Sequence, residues 1–434
     1  MSNTAPYVLF RDDSENRTTV FAEPLRVLTA RTKSEFVRGL AELERAHESG
    51  KWIAGFMSYE AGHLFEEKLS GFAEEGRETP LMSFGIFDAP LEDHPLAEPQ
   101  RRTENEPLLS EPRADWNFET YRERFDRLHQ HLRKGDCYQA NLTMPIRARW
   151  SGDPRAAFWS LIERQPVKYG ALVALDGPVL LSRSPELFFR VDADGWIETH
   201  PMKGTAKRGA SAAEDAEIIA AMRADEKTQA ENRMIVDLLR NDISRITEVG
   251  TLNVPKLFEI ETYPTVHQMV SHVRAKLLPE IGLSDIFAAL FPCGSITGAP
   301  KMRAMEILHD LEDGPRDAYC GAIGFIAPNG VMRFSVAIRT ISLFASGEAV
   351  FNVGGGIVFD SNAQSEYEEC LLKARFAVGD DHIALGDDEV APGDDEVAPG
   401  DGEVAPGDGE VAPGDGEVAP GDGEIVPGDG EIVR

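Results

Sequence analysis

No two of the four cysteines, Cys137, Cys293, Cys320 and Cys370, stand at a Cys-x-x-Cys or Cys/His ligand spacing. Zinc-finger and dithiol redox chemistry are thereby excluded, and buried thiols in a reducing cytoplasm are the expected state. Basic residues are also short: 44 Lys and Arg face 74 Asp and Glu, for a net charge of −30. A chain so acidic repels phosphate backbones, so neither DNA nor RNA is an expected partner. No run approaches the roughly 18 apolar residues that span a bilayer. Met1-Ser2-Asn3-Thr4-Ala5-Pro6 lacks the basic and then apolar order of a secretory leader. The expected location is the cytoplasm, away from membranes. Glycine spacings of the phosphate-loop and dinucleotide-binding kinds are missing as well.

What is present divides unevenly. Residues 386–434 are seven copies of a seven-residue unit, from Gly386-Asp387-Asp388-Glu389-Val390-Ala391-Pro392 to Gly428-Asp429-Gly430-Glu431-Ile432-Val433-Arg434. They hold 16 Asp and Glu and one Arg, which is half of the net charge. A period of seven suggests a coiled coil, but Pro and Gly in nearly every unit forbid a continuous helix. One Val or Ile pair per unit buries too little to offset chain entropy, so residues 379–434 are expected to be a disordered acidic tail.

The 42% hydrophobic content supports a full core in the remainder. Strand-like runs at Tyr7–Phe10 and Trp52–Met57 flank an amphipathic helix expected to open at Ser34 and Glu35. Residues 91–115 read as a Pro-rich linker closing an N-terminal subdomain, 1–115. A helix from Asn117 to Lys134, strands between Tyr138 and His200, and helices over Ala212–Arg223 and Glu226–Arg245 follow. The pattern then continues with strands Thr262–Val273, Ala318–Ala327, Val331–Ile341 and Ala349–Val353. A helix over Ser361–Ala377 closes a second unit, 116–378. Strands and helices do not alternate strictly, so the expected class is α+β with large, mostly antiparallel sheets.

Lys203, in Pro201-Met202-Lys203-Gly204-Thr205, lies 17 positions after Glu186 in Ser182-Arg183-Ser184-Pro185-Glu186. A half-buried lysine near a carboxylate becomes a neutral amine, and so a nucleophile; a solvated surface charge is the plainer reading of the same residue. Glu366 and Glu369 share one face of the last helix, and Glu231 lies early on another. Carboxylates facing each other without Cys or His suit a hard ion such as Mg²⁺; pairing of Glu231 with Arg233 or Lys227, and of Glu369 with Lys373, is the alternative. Gly294-Ser295-Ile296-Thr297-Gly298-Ala299-Pro300 leads into a helix, where free N–H groups and the hydroxyls of Ser295 and Thr297 suit an anion. Gly354-Gly355-Gly356 lets a ligand approach backbone closely. Arg339, in an apolar strand, needs an anionic partner from protein or ligand.

Cys137-Tyr138-Gln139-Ala140-Asn141-Leu142-Thr143, Asp237-Leu238-Leu239-Arg240-Asn241-Asp242, the Gly294–Lys301 run, Tyr319-Cys320-Gly321-Ala322-Ile323-Gly324 and Gly354–Asp360 together resemble the chorismate-utilising enzyme family. The likeness covers roughly residues 117–377 and its motifs occur in the family's order. It implies antiparallel sheets packed as a sandwich with flanking helices, and 116–378 as a chorismate-binding catalytic domain. Two positions choose among branches. Anthranilate-forming relatives usually carry alanine where Lys203 stands, whereas the branch making 4-amino-4-deoxychorismate, for para-aminobenzoate and folate, uses this lysine as nucleophile. Isochorismate-forming relatives place a water-activating lysine where this chain has Gln139, and an amide cannot act as that base. The Leu-Leu-Glu-Ser run tied to tryptophan feedback is missing. Cys293 and Thr228 depart from the family pattern, the latter where some relatives carry an acid.

The resemblance implies that Glu231, Glu366 and Glu369 hold Mg²⁺ against the ring carboxylate of chorismate. Arg339, Tyr319 and the Gly354, Gly355 and Gly356 backbone would hold the enolpyruvyl carboxylate. Ser295 and Thr297 would line the ring side, with His267 near the leaving oxygen. Lys203 would attack C2 while Glu186 protonates the departing hydroxyl. No Gly-x-Cys-x-Gly glutaminase turn exists in the chain, so free ammonia, or a separate glutamine amidotransferase subunit, is the expected amine source. Anthranilate formation and a non-catalytic chorismate-binding regulatory subunit are the rival readings.

Overall fold

The computed structural model describes residues 5–386 apart from 74, 92, 101–107, 264–265 and 380–381. Two large sheets carry the architecture. The first runs, in spatial order, through Arg17–Ala22, Tyr7–Asp12, Tyr169–Ala174, Val179–Ser184, Thr340–Leu343, Glu348–Ile357, Gln139–Trp150, Leu109–Ala114 and Ala384–Leu385. The second runs through Met202–Lys207, Val266–Lys276, Trp196–Thr199, Leu187–Val191, Met332–Val336, Ala322–Ile326, Trp52–Met57, Met82–Phe87 and Arg26–Ala30. Neighbouring strands are antiparallel, except that Ala384–Leu385 runs parallel to Leu109–Ala114. The expected α+β class with mostly antiparallel sheets is the observed one.

Alternation along the strands builds the layers. Val8 and Phe10 point with Ala54, Phe56, Ala171, Val173 and Ile323 into a core shared by both sheets. Tyr7 and Leu9 face the opposite way, onto a core with the Phe118–Lys134, Lys301–Leu311 and Ala363–Val378 helices. Ile53 and Met57 face a third core with the Lys33–Glu48, Glu226–Ser244 and Leu283–Leu290 helices. The sheets therefore form a sandwich with helices on both outer faces.

Three expectations change. Residues 1–115 are not a lobe of their own: Tyr7–Asp12 pairs with Tyr169–Ala174, and Trp52–Met57 with Ala322–Ile326, so N-terminal strands extend both sheets. Strand patterning alone does not identify the partner, which is why the linker-rich 91–115 stretch looked like a boundary. The first helix opens at Lys33, one residue before Ser34, behind a capping box formed by Thr32 and Glu35. Beyond residue 379, Gly386 N–H still donates to Ala114 O at 3.1 Å, so the body extends past the expected start of the tail. The repeat from residue 387 lies outside the described residues. Among the described residues no helix is long and apolar enough to cross a membrane.

Candidate active site

The chain passes from one sheet to the other at two places that the site uses. After Val179–Ser184 in the first sheet, Pro185-Glu186 carries it to Leu187–Val191 in the second. After Met332–Val336 in the second sheet, residues 337–339 return it to Thr340–Leu343 in the first. The continuous strand expected over Val331–Ile341 is thus two strands in different sheets. The crossings are tied together: Val336 N–H donates to Glu186 O at 3.1 Å, and Arg183 N–H to Arg339 O at 2.9 Å. Arg339 takes a φ of 50°, a conformation that a side-chain-bearing residue adopts only when its surroundings enforce it. Both crossings open on a cavity of about 910 Å³.

Glu186 is buried on its wall and accepts a 2.6 Å hydrogen bond from Ser295 Oγ. Burial pushes its carboxyl up to about 7, against the opposing pull of Ser295 and of the Lys203 charge. A glutamate near 7 gives up or takes a proton at physiological pH. Ser295 belongs to the short Gly294–Ile296 turn. Thr297 does not line the cavity as expected: its hydroxyl donates to Cys293 O at 3.0 Å and braces that turn instead.

Lys203 enters from the edge strand Met202–Lys207, whose pairing with Val266–Lys276 slips between Met202 and Thr205. Gly204 absorbs the irregularity with a φ of 76°, and a Cβ there would lie 2.5 Å from Thr228 Cγ2. Such bulges redirect side chains. Lys203 is half-buried, and a Cβ placed on Gly356 would come within 3.2 Å of its Nζ and 3.1 Å of Gln139 Nε2. The bare backbone of Gly356 is what lets these two groups close over it. Burial lowers the Lys203 pKa from the ordinary amine value; Glu231, Glu186 and Glu369 pull it back, and the Lys373 charge adds to the lowering.

Opposite charge collects on the helical wall. Glu231 comes from Glu226–Ser244, and Glu366 and Glu369 from Ala363–Val378, a helix capped by Asn362. Ser361 Oγ donates to Glu366 Oε1 at 2.7 Å. Burial raises the Glu366 pKa; its neighbours Glu369 and Glu231 push the same way, while Ser361 and Lys373 oppose. Lys373 Nζ lies 2.8 Å from Glu369 Oε1 and donates to Gly354 O at 2.8 Å. The Glu369–Lys373 pairing considered from spacing is therefore present, at the solvent-exposed rim of the cavity. Among the described residues no three Asp, Glu, His or Cys side chains converge as a ready coordination shell. The three glutamates are hard oxygen donors on one wall of the cavity, which Asp225 also lines, and such donors suit a hard cation.

Arg339 lines the cavity beside the buried Tyr319. Burial lowers its pKa, and Tyr319 is the neighbouring group that acts in the other direction. No carboxylate among the described residues pairs with this guanidinium, which leaves an anion-binding position facing the cavity. Gly354 and Gly356 also line it, whereas Gly355 turns toward Glu366, whose Oε2 would be 3.0 Å from an added Cβ. His267 is a correction. It is wholly buried, Nε2 is 2.8 Å from Asp215 Oδ1, and Nδ1 is 2.9 Å from Thr262 Oγ1. Its neighbours Val266 and Gln268 face the cavity, so strand alternation turns His267 away. Lys373, Gln268 and Asn352 join the walls without having been singled out; only the position of Lys373 four residues after Glu369 hinted at a place there.

Comparison with known proteins agrees with this picture. The profile of a family described as chorismate binding enzyme matches residues 5–379. Aminodeoxychorismate synthase component 1 of Escherichia coli K12 is 37% identical over 386 residues, covering 83% of each chain. The protein of that name from Klebsiella aerogenes is 40% identical over 339 residues, covering 74% of each. Anthranilate synthase component I from Streptococcus pneumoniae TIGR4 superposes with a TM-score of 0.70 at 26% identity, over 86% of this chain and 92% of that one.

Proposed function

This chain belongs to the chorismate-binding enzyme family, and from that premise we propose that it is the synthase component that converts chorismate and ammonia into 4-amino-4-deoxychorismate. The observation that carries the choice of reaction is Lys203, an amine drawn down by burial and set in the same cavity as a glutamate poised near neutrality. Relatives named aminodeoxychorismate synthase support the same reading.

Two successive displacements follow from these two side chains. The Lys203 amine adds to ring C2, the diene shifts toward C4, and the C4 hydroxyl leaves as water with the Glu186 proton. Ammonia then adds at C4, the diene shifts back, the C2–N bond breaks, and the Glu186 carboxylate accepts the surplus proton. Each step is an allylic displacement, easier than one direct substitution at C4. Lys203 must start neutral and Glu186 protonated, and burial drives both in that direction. Arg339, with Tyr319 beside it and no carboxylate paired to it among the described residues, offers its positive charge to the carboxylate of the enolpyruvyl arm. Ser295 keeps Glu186 oriented through both proton transfers.

Glu231, Glu366 and Glu369 fit Mg²⁺ by donor chemistry, and would hold it on the helical wall with Lys373 displaced from Glu369. Bound there, the ion would neutralise the ring carboxylate and draw electron density from the diene. The ammonia would come from a separate glutamine amidotransferase subunit, since this sequence has no nucleophile turn for glutamine hydrolysis. The test is to incubate purified protein with chorismate, Mg²⁺ and ammonium and to identify the product by mass. A product that retains the enolpyruvyl group and has NH2 in place of OH is expected. Fluorescent anthranilate with release of pyruvate would replace this reading with the anthranilate one. No consumption of chorismate would point to a binding subunit.

A further inference from the structure

Cys293 departs from the family pattern, and no step of the proposed amination uses it. It stands immediately before the Gly294–Ile296 turn and is buried. Its carbonyl accepts from Thr297 Oγ1 at 3.0 Å and from the Ile296 N–H at 3.3 Å, so its backbone anchors the turn that presents Ser295. The side chain has a different place. Cys293 Sγ lies 3.2 Å from Ser295 Oγ, and Ser295 Oγ is in turn 2.6 Å from Glu186 Oε1. All three residues are buried, so the chain from thiol to carboxyl is shielded from bulk solvent.

Proton counting gives this chain a direction. A serine hydroxyl has one proton, and Ser295 donates it to Glu186 Oε1. Burial pushes the Cys293 thiol up to about 12, and the Glu186 charge acts the same way, against the opposing pull of the Ser295 hydroxyl and N–H. The sulfur therefore keeps its proton at physiological pH. With the serine proton committed to the carboxyl, the S–H is the donor to a free lone pair of Ser295 Oγ. A thiol is a weak acceptor, so a hydroxyl turned round toward sulfur would exchange a strong bond for a poor one. The thiol thus holds the rotor facing Glu186 and polarises its O–H, as consecutive hydrogen bonds do. Glu186 Oε2 takes no hydrogen bond among the described residues. It is the oxygen left to carry the transferable proton.

We propose that Cys293 is a positioning residue for the acid–base step: its thiol locks the Ser295 hydroxyl onto Oε1 of Glu186 and so assigns proton transfer to Oε2. The proposal rests on Glu186 being the acid and base of the amination. The charged groups around the chain are Lys203, which acts on Glu186, and Lys301, which acts on Cys293. Cys293 acts on the carboxyl through Ser295, and that route is what can be cut.

The test is a double-mutant cycle read on the Glu186 carboxyl itself. Its protonated form is followed by infrared titration of the full chain without chorismate, the band being identified by its loss in Glu186→Gln. Ser295→Ala should raise the midpoint by about 1 to 2 on the pH scale, the size of one hydrogen bond to a charged group. Cys293→Ala should raise it by about 0.3 to 0.7, since a neighbouring bond in a chain adds a fraction of the strength of the next. On the Ser295→Ala background, Cys293→Ala should add nothing, because its route to Glu186 is gone. An unchanged or lowered midpoint in Cys293→Ala would overturn the proposal. So would an equal rise on both backgrounds, which would mean that the sulfur acts by packing alone. In turnover, the fall above pH 7 should move upward in Cys293→Ala by the same amount as the infrared midpoint; a midpoint that moves without the rate profile would remove Cys293 from the reaction. The product made by the unsubstituted protein tests the amination separately.

Discussion

The two walls of the catalytic cavity use the same residue type in opposite ways. On the wall formed by the sheet crossings, Glu186 is isolated, buried and held by one hydroxyl, and its carboxyl is pushed up to about 7. On the helical wall three glutamates crowd together, with Lys203 and Lys373 to offset them. Arg339, on the crossing wall, has no anionic partner among the described residues. The cavity thus sets a carboxyl pushed toward neutrality and a lone guanidinium against a face rich in negative charge. Environment, not residue identity, assigns the roles.

Lys203→Ala breaks this comparison most severely, because it removes the amine between the walls. Amination should fall by about 10³-fold or more, read as product by mass at saturating ammonium, with chorismate binding retained. Turnover near that of the unsubstituted enzyme would eliminate the covalent route.

Glu186→Gln tests the crossing wall alone. Loss of the acid and base should cost about 10²- to 10⁴-fold in turnover. The same change carries a stability signature. The folded-state pKa of about 7 lies above the ordinary glutamate value of 4.5, so the folded protein holds this proton more tightly than the unfolded chain does. Stability therefore declines as pH rises from 4.5 toward 7, by up to about 3 kcal/mol. The glutamine variant should gain on the parent in denaturant midpoint as pH rises from 4.5 to 8, with no widening beyond that. A difference independent of pH would show that burial does not govern this carboxyl. In the parent, turnover corrected for free ammonia should fall above pH 7, as Glu186 loses its starting proton.

The proposed metal site makes the helical wall the one expected to respond to metal. EDTA should suppress turnover and Mg²⁺ restore it, and Glu369→Gln should raise the Mg²⁺ concentration needed for half-maximal rate by about 10- to 100-fold, the scale of a lost charged donor. Activity indifferent to EDTA would leave the three glutamates as a purely electrostatic wall around Lys203.

Arg339→Met should raise KM for chorismate by about 10- to 100-fold, as expected for one charge-assisted pair, with a smaller change in kcat. An unchanged KM would move the anion position elsewhere. Gly204→Ala has the smallest expected effect, about 1–2 kcal/mol of stability, from a φ of 76° and a contact of 2.5 Å with Thr228 Cγ2. Its melting temperature should fall by several degrees; an unchanged value would mean the edge strand relaxes freely.

Much of this cavity was legible before any coordinates. Lys203, Glu186, Glu231, Glu366, Glu369, Ser295, Tyr319, Arg339, Gly354 and Gly356 all line it. Three expected members do not line it: Gly355, whose added Cβ would meet Glu366, and two others that failed for one-residue reasons. His267 sits on the far face of a strand whose parity depends on its register, and Thr297 bends back to the carbonyls of its own turn. Lys373 was visible only as a partner of Glu369, since helical spacing gives the pair but not the side that faces solvent. The break between Val336 and Thr340 was hidden because both halves are apolar and β-prone, and periodicity carries no mark of a change of sheet.

From its amino acids alone, this chain determined its class, its helices, the acidity of its terminal repeat and the residue types available for catalysis. Those are local properties, set by side-chain periodicity, capping and charge. Only the tertiary structure decided that N-terminal strands extend both sheets, that two crossings bring Glu186 and Arg339 to one cavity, and that His267 faces away. The physical reason is that pairing register and desolvation are collective. A glutamate becomes an acid near pH 7 only when residues distant in sequence exclude water around it.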